Sequence, residues 1–284
     1  MTADRYTWLY AVAPGGADPA VLHGLSGVAG EHPRLLLAED LAAAVGSVPS
    51  ADFAAPALHR HLEDTAWLER AVRAHHHVID TLARAHRTLP LRFATLYRDD
   101  RRVLDLLGAH HREFHAILER IADRTEWGIK AYLDATTLRD RPDPGTGEHT
   151  DGPESGGSAE NGDTQGNPVD DRPGTAYLLR RRAARDRSAR SLAEASAHAR
   201  QLHDVLTAFA AEAAEHPPQA PEATGIREAM LLNGAYLVDR SRTDEFARVV
   251  DDLRHAHARV LRVELTGPWP PYSFVDLPQA AGGE

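Results

Sequence analysis

Cysteine is absent from the 284-residue chain. That excludes disulfides, thiolate metal sites and cysteine nucleophiles. Lysine is nearly absent too: Lys130 is the only one among 32 basic residues. Beside so much alanine, this bias reads as nucleotide composition and not as chemistry. No run approaches the roughly 18 apolar residues of a membrane span. The opening, MTADRYTWLYAV, lacks the basic region and long apolar core of a signal peptide. A soluble cytoplasmic protein is the expectation. Positive charge is in deficit, with a net charge of −10, which argues against nucleic acid and membrane surfaces as partners. Also missing are a Gly-rich phosphate loop, a G-x-S-x-G turn and a Ser/His/Asp set at readable spacing. Nothing here reads as a catalytic constellation, and no cofactor is expected.

What is present is an alternation of strand and helix patterns. The apolar fraction, 42%, suffices for a packed core, and the length suits two domains or one large one. Tyr6, Trp8, Tyr10 and Val12 repeat with a period of two, so residues 6–13 read as a strand. Residues 35–38 and 41–48 read as two more, joined at Glu39-Asp40. A short helix is predicted over 56–63. Asp64 then caps a longer one carrying Trp67, Leu68, Ala71, Val72, Val78, Ile79, Leu82 and Ala85. Residues 91–97 read as a strand, 99–122 as one helix and 126–134 as a strand, a βαβ unit. A second unit follows: strand 228–238, helix 243–257 and strand 259–265.

Two stretches interrupt this pattern. Residues 139–174 hold nine acids and three arginines, with Val169 their only larger apolar side chain. Such a composition cannot offset the entropy of ordering, so a disordered acidic loop is predicted. Residues 175–215 read as helical, and Leu192, Ala195, Ala199, Leu202, Leu206, Phe209 and Ala213 step by three and four along a heptad seam. The fold class is therefore α+β. Residues 1–88 form a small N-terminal domain. Residues 89–277 form a ferredoxin-like split βαβ domain interrupted by the acidic loop 139–174 and a helical insertion, 175–222.

Seventeen histidines invite a metal reading. His75-His76-His77 is one cluster; His110, His111 and His115 are another, the last two spaced i, i+4. The metalloprotease order requires Glu directly after the first His, and here Arg112 stands there. With no third ligand legible, solvated helix faces are the better reading and no metal is expected. The block Arg180, Arg181, Arg182, Arg185, Arg187 and Arg190 could take phosphate or RNA, with Phe93, Trp127 and Tyr132 as stacking groups. The RNP1 pattern is absent, however, and the net charge opposes it. An RNA- or ligand-binding ferredoxin-like regulator using Arg180–Arg190 stands as the alternative function. Arg92 and Lys130 are charges within predicted strands that could meet across one sheet face.

The chain's most unusual stretch is Leu265-Thr266-Gly267-Pro268-Trp269-Pro270-Pro271-Tyr272-Ser273-Phe274. Three prolines among three aromatics predict a stiff, polyproline-like tail, either closing a core or facing a partner. Together with Leu89-Pro90-Leu91-Arg92-Phe93-Ala94-Thr95, Glu126-Trp127-Gly128-Ile129-Lys130, Gly174-Thr175-Ala176-Tyr177-Leu178, Tyr236-Leu237-Val238 and Phe246, in this order, it resembles the gas vesicle GvpF/GvpL family over nearly the whole chain. Ala94 departs from it, where the family commonly has Gly, as does the long acidic loop. The resemblance implies a non-catalytic accessory or minor structural protein of gas vesicles, located in the cytoplasm with the vesicle. It implies binding to the hydrophobic shell protein GvpA, and to other accessory proteins, in shell nucleation or assembly. It also implies two α+β domains, the second a modified ferredoxin fold. Trp269, Tyr272 and Phe274, with Arg92 and Lys130, are the candidate partner-binding residues.

Overall fold

The computed structural model describes residues 4–134, 173–219 and 228–275. The acidic loop call, 139–174, falls almost wholly outside the described residues, which resume at Pro173.

The first sheet is antiparallel and begins with β1 (Arg5–Pro14), β2 (Arg34–Ala38) and β3 (Leu41–Pro49). Glu39 turns the β2–β3 hairpin at φ 54°. Three helices follow: α1 (Ser50–Phe53), α2 (Ala55–Glu63) and α3 (Thr65–Ala85). The Asp64 carboxylate caps α3, accepting from the amides of Ala66 and Trp67 at 2.9 and 3.1 Å. The apolar stripe of α3, with Val78, Ile79 and Leu82, covers Trp8, Tyr10 and Ala44 on one face of the sheet.

Residues 91–97 are not the strand that their composition suggests. Two short ladders, β4 (Leu89–Pro90) and β5 (Leu96–Tyr97), both pair with β1. Ala94 between them sits at φ 65°, which breaks an extended run, and Thr95 Oγ1 closes the turn by donating to the Arg92 carbonyl at 2.7 Å. The segment thus completes the first sheet, whose order is β2-β3-β1-β4 with β5 beside β1. A left-handed residue here is a position that suits glycine better than the alanine present.

The helix expected over 99–122 is two: α4 (Asp100–Ala109) and α5 (His111–Arg120). His110, at φ −114° and ψ 22°, leaves the helical region and lets α5 turn. Val103 and Leu107 of α4 and Phe114, Ile117 and Leu118 of α5 bury against Leu9, Val12 and Val45 of the first sheet. The same cluster contains Ala235 and Leu237 of a second sheet. These two helices are therefore the middle of a stack, sheet on both sides.

The second sheet is built from β6 (Arg124–Leu133), β7 (Glu212–Glu215), β8 (Met230–Asp239) and β9 (Leu261–Trp269), in the order β7-β8-β6-β9, every neighbouring pair antiparallel. The helices α6 (Pro173–Phe209) and α7 (Thr243–His257) lie between β6 and β7 and between β8 and β9 in the chain. Both pack on one face. Trp127, Ile129 and Ala131 of β6 point there, with Tyr236, Val238, Phe246, Val250 and the α6 seam Ala195, Ala199, Leu202 and Leu206. Two details of the seam differ from the heptad reading. Leu192 is exposed, and Ala213 belongs to β7, because the helix stops at Phe209. Residues 175–215 are thus not uniformly helical, and α6 serves as a covering helix of the sheet.

The proline-aromatic tail is likewise not a polyproline run. The strand β9 continues through Pro268 to Trp269, with Glu126 opposite Trp269 in the register. As an edge strand pairing only with β6, it loses nothing at the missing proline N–H. Gly267 holds φ 122°, where a Cβ would lie 2.9 Å from the Glu126 carbonyl oxygen, so only glycine fits. A 3-10 turn over Tyr272–Phe274 follows.

Candidate partner-binding site

The tail is fixed at three points and left open at one. Phe274 and Val275 are buried in the middle layer with Phe114, Ile117 and Ile121. The Arg120 guanidinium donates to the Phe274 carbonyl. Glu126, buried in β6, receives both the Ser273 amide at 2.8 Å and the Ser273 hydroxyl at 2.7 Å. Burial raises the Glu126 carboxyl above its ordinary range, opposed by these two bonds. The third anchor is α3. His76 stacks on Tyr272 at 5.2 Å between centroids, and its Nδ1 lies 2.8 Å from the Tyr272 hydroxyl. Burial lowers the His76 pKa and raises that of Tyr272. Both groups therefore stay neutral near pH 7, joined by a neutral hydrogen bond.

Trp269 is the open point. Its ring lies 5.7 Å from that of His76 and is 43% exposed. It stands at a groove between the end of α3 and β6, which Arg84, Arg87, Arg124 and Arg240 line with Pro268 and Pro270. Asp80 and Asp123 line it too, and Arg84, Arg87 and Arg124 are ion-paired with Asp80, Glu119 and Asp239, so an indole held beside proline rings presents an apolar centre within a polar rim of mixed charge.

Of the five candidate residues, the structure brings Trp269 and Tyr272 to the same His76 ring, and Trp269 is the one that lines the groove. Phe274 is turned inward and is a core residue. Arg92 is exposed in the β4–β5 turn of the first sheet, while Lys130 lies in β6 of the second and donates to Gln219 Oε1 at 3.0 Å. The two do not share a sheet face.

The proposed stacking aromatics are also separated. Phe93 packs edge-on against Trp8 at 5.1 Å, Trp127 is buried beneath the helices, and Tyr132 is buried with Arg262 over its ring. No two of them form a platform for bases. The arginine block differs. Every side chain described from Leu178 to Arg190 is exposed, Arg181, Arg182, Arg185, Arg187 and Arg190 among them. Leu178 and Leu179 are 64% and 61% exposed.

The histidines divide into unlike roles. His75 is not on a solvated face: it is 3% exposed, accepts from Trp8 Nε1 at 3.0 Å and donates to the Leu91 carbonyl at 3.1 Å. His77 is exposed. His111 and His115 do have a third partner, Asp40, from the β2–β3 turn. His111 Nε2 lies 2.5 Å from Asp40 Oδ1, and His115 Nε2 lies 2.9 Å from Oδ2. The hydrogen bond with His111 first, and then the close His115 ring, hold the Asp40 pKa down at about 2. Seventy-one residues separate Asp40 from His111, so no local spacing could have revealed it.

The model for the family described as gas vesicle synthesis protein GvpL/GvpF matches residues 6–276. The chain belongs to the GvpL/GvpF family. A relative described as gas vesicle protein L, from Streptomyces sp. (strain CB03234), is 38% identical over 98% of this chain and 95% of its own length. Gas vesicle protein F of the same organism is 28% identical over 95% of this chain and 99% of its own. The crystal structure of GvpF from Anabaena sp. PCC7120 superposes with a TM-score of 0.66, covering 99% of this chain and all of that one at 16% identity. GvpF from Microcystis aeruginosa gives 0.61 over 95% and 98% of the two chains at 17% identity. The mixed helix-and-sheet fold is thus that of solved GvpF proteins. The role lies with gas vesicles, in a family not known as enzymatic. Among the described residues, no helix is long and apolar enough to cross a membrane.

Proposed function

We propose that this GvpL/GvpF member is a non-catalytic assembly factor that binds the hydrophobic shell protein GvpA in the cytoplasm and helps to nucleate or build the gas vesicle, beside other accessory proteins. The observation that carries the reading is Trp269. The family signature places a large aromatic on the surface, 43% exposed, while its neighbours Tyr272, Ser273 and Phe274 are tied into the body. A rigid, pre-positioned indole in a groove with a polar rim is the usual make-up of a binding hot spot. A soluble partner that covers apolar surface before assembly also answers the aggregation hazard of a hydrophobic shell subunit. Tyr272 acts in this reading as the support of Trp269 through His76. Phe274 acts only through the core, and Arg92 and Lys130 belong to separate surfaces.

We further infer a division into an N-terminal α+β domain and a C-terminal ferredoxin-like domain. We draw its boundary after Asp123 in preference to residue 88, because Leu89, Pro90, Leu96 and Tyr97 pair with β1. The β-α-β-β-α-β order from β6 to β9 supports it.

The test is a pull-down with purified shell protein. Trp269→Ala is expected to weaken capture at least ~10-fold, as for a central aromatic anchor, while Arg92→Ala leaves it unchanged. Unaltered capture by folded Trp269→Ala would move the binding surface elsewhere. The exposed arginines of α6 favour a second reading, a regulator that binds RNA or an anionic ligand through Arg181, Arg182 and Arg185. It calls for RNA binding that weakens steeply with salt and is lost on their replacement by alanine.

A further inference from the structure

We propose that Asp40, His111 and His115 form a binding site for a late first-row divalent cation of the Zn2+ type, which clips the β2–β3 hairpin to α5. The two imidazoles stand one helical turn apart on α5, with ring centroids 4.7 Å from each other. Each directs Nε2 at a different oxygen of the same carboxylate. The three ligand atoms all lie within 4.8 Å of one another, the one such group of three among the described residues.

Two features set the cluster apart from an ordinary ion pair. His115 Nε2 is shielded from solvent, yet its contact with Asp40 Oδ2 is not aligned as a hydrogen bond, so the nitrogen lacks a satisfactory partner. A metal ion needs only the lone pair, with the proton removed. Second, ligand atoms around a tetrahedral Zn2+ with bonds near 2.0–2.1 Å lie about 3.3 Å apart. The observed 2.5 and 2.9 Å, each to a different oxygen of Asp40, would open by several tenths of an ångström, and the remaining separations already lie within 4.8 Å. Two imidazoles and one carboxylate suit Zn2+, Co2+ or Ni2+ and not the oxygen-seeking Ca2+ or Mg2+.

The neighbouring residues fit the same role. Glu39 Oε2 is 3.6 Å from His111 Nε2 and can swing in as a fourth ligand or leave that position to water. The turn that carries both acids is held from behind. The Asp40 carbonyl accepts from the Gly15 amide at 2.6 Å, and a Cβ on Gly15 would meet the Asp40 carbonyl carbon at 2.7 Å. Asp40 thus cannot drift from α5 without moving the end of β1.

The experiment titrates the full chain, stripped with a chelator and free of any affinity tag, with Zn2+ by calorimetry, and follows its melting temperature. The wild type is expected to take up one Zn2+ tightly and melt higher with it. Asp40→Asn, His111→Ala and His115→Ala each weaken that binding at least ~10-fold, a loss typical even of outer-shell partners of a metal. They also abolish the melting shift. His77→Ala, an exposed histidine elsewhere, changes neither. All three ligands are partly exposed, and matching metal-free melting temperatures confirm that the variants fold. With 17 histidines in the chain, weak uptake elsewhere is expected, so the comparison decides. Equal Zn2+ affinity in wild type and the three variants overturns the proposal, as does an equal melting shift with Ca2+.

Discussion

His75 shows how far a single side chain can depart from its composition. A run of three histidines on a polar helix reads as solvated, yet His75 points inward between Trp8 and the Leu91 carbonyl. Burial lowers its pKa from 6.5 to about 4. The unfolded chain therefore binds a proton more readily between those two values. Stability is full above pH 6.5, falls as pH drops toward 4 and levels off below it. The displacement corresponds to about 3 kcal/mol. His76 and His257, whose pKa values are also lowered, act in the same direction, and Glu126, raised, acts against them. Chemical denaturation at pH 7 and pH 5 should show the loss in the wild type and a clearly smaller one in His75→Gln. Equal losses in both would remove His75 as its source. The helical period of α3 already marked its neighbours Val78, Ile79 and Leu82 as buried. What it could not show was that β1 would present an indole N–H to the next position on that face.

At the scale of elements, α6 is the clearest case of one helix with two characters. Residues Ala195, Ala199, Leu202 and Leu206 are buried, while the side chains described from Leu178 to Arg190 are exposed. Leu206→Ala is expected to cost ~2–5 kcal/mol as a cavity in the second core. Arg185→Ala should stay within about 0.5 kcal/mol, as surface changes do. Urea unfolding compares the two, and a large cost at Arg185 would mean that the exposed half is packed after all. Most elements here were legible: the cap Asp64, the helix Thr243–His257, the alternation of β1 and the seam of α6. The segment 91–97 was not. Its apolar alternation signals an extended chain without naming the partner strand, and pairing with β1 rather than β6 is decided by contacts more than 80 residues away in sequence. The break at His110 left no proline or other strong signal.

For the molecule as a whole, the decisive feature is the shared middle layer. Leu9, Val12 and Val45 from one sheet and Ala235 and Leu237 from the other meet the same helices. Neither sheet buries its inner face without α4 and α5. Unfolding should therefore be a single transition, with circular dichroism and tryptophan fluorescence falling together. Two separated transitions would show that the sheets fold independently. The candidate site follows the same logic, since the tail's aromatics could be listed from sequence, but their division into one outward and two anchored side chains depends on where α3 and the middle layer stand.

The tail anchor also sets a timetable. Arg120 and Phe274 are 154 residues apart. At roughly 5–20 residues per second, translation takes on the order of ten seconds to deliver the second after the first. During that interval the apolar face of α5 waits for β8 and then for Phe274. A ribosome-bound chain of this kind exposes the very surface that its finished form conceals, so its yield in cells should depend on how fast it is made and on what attends it.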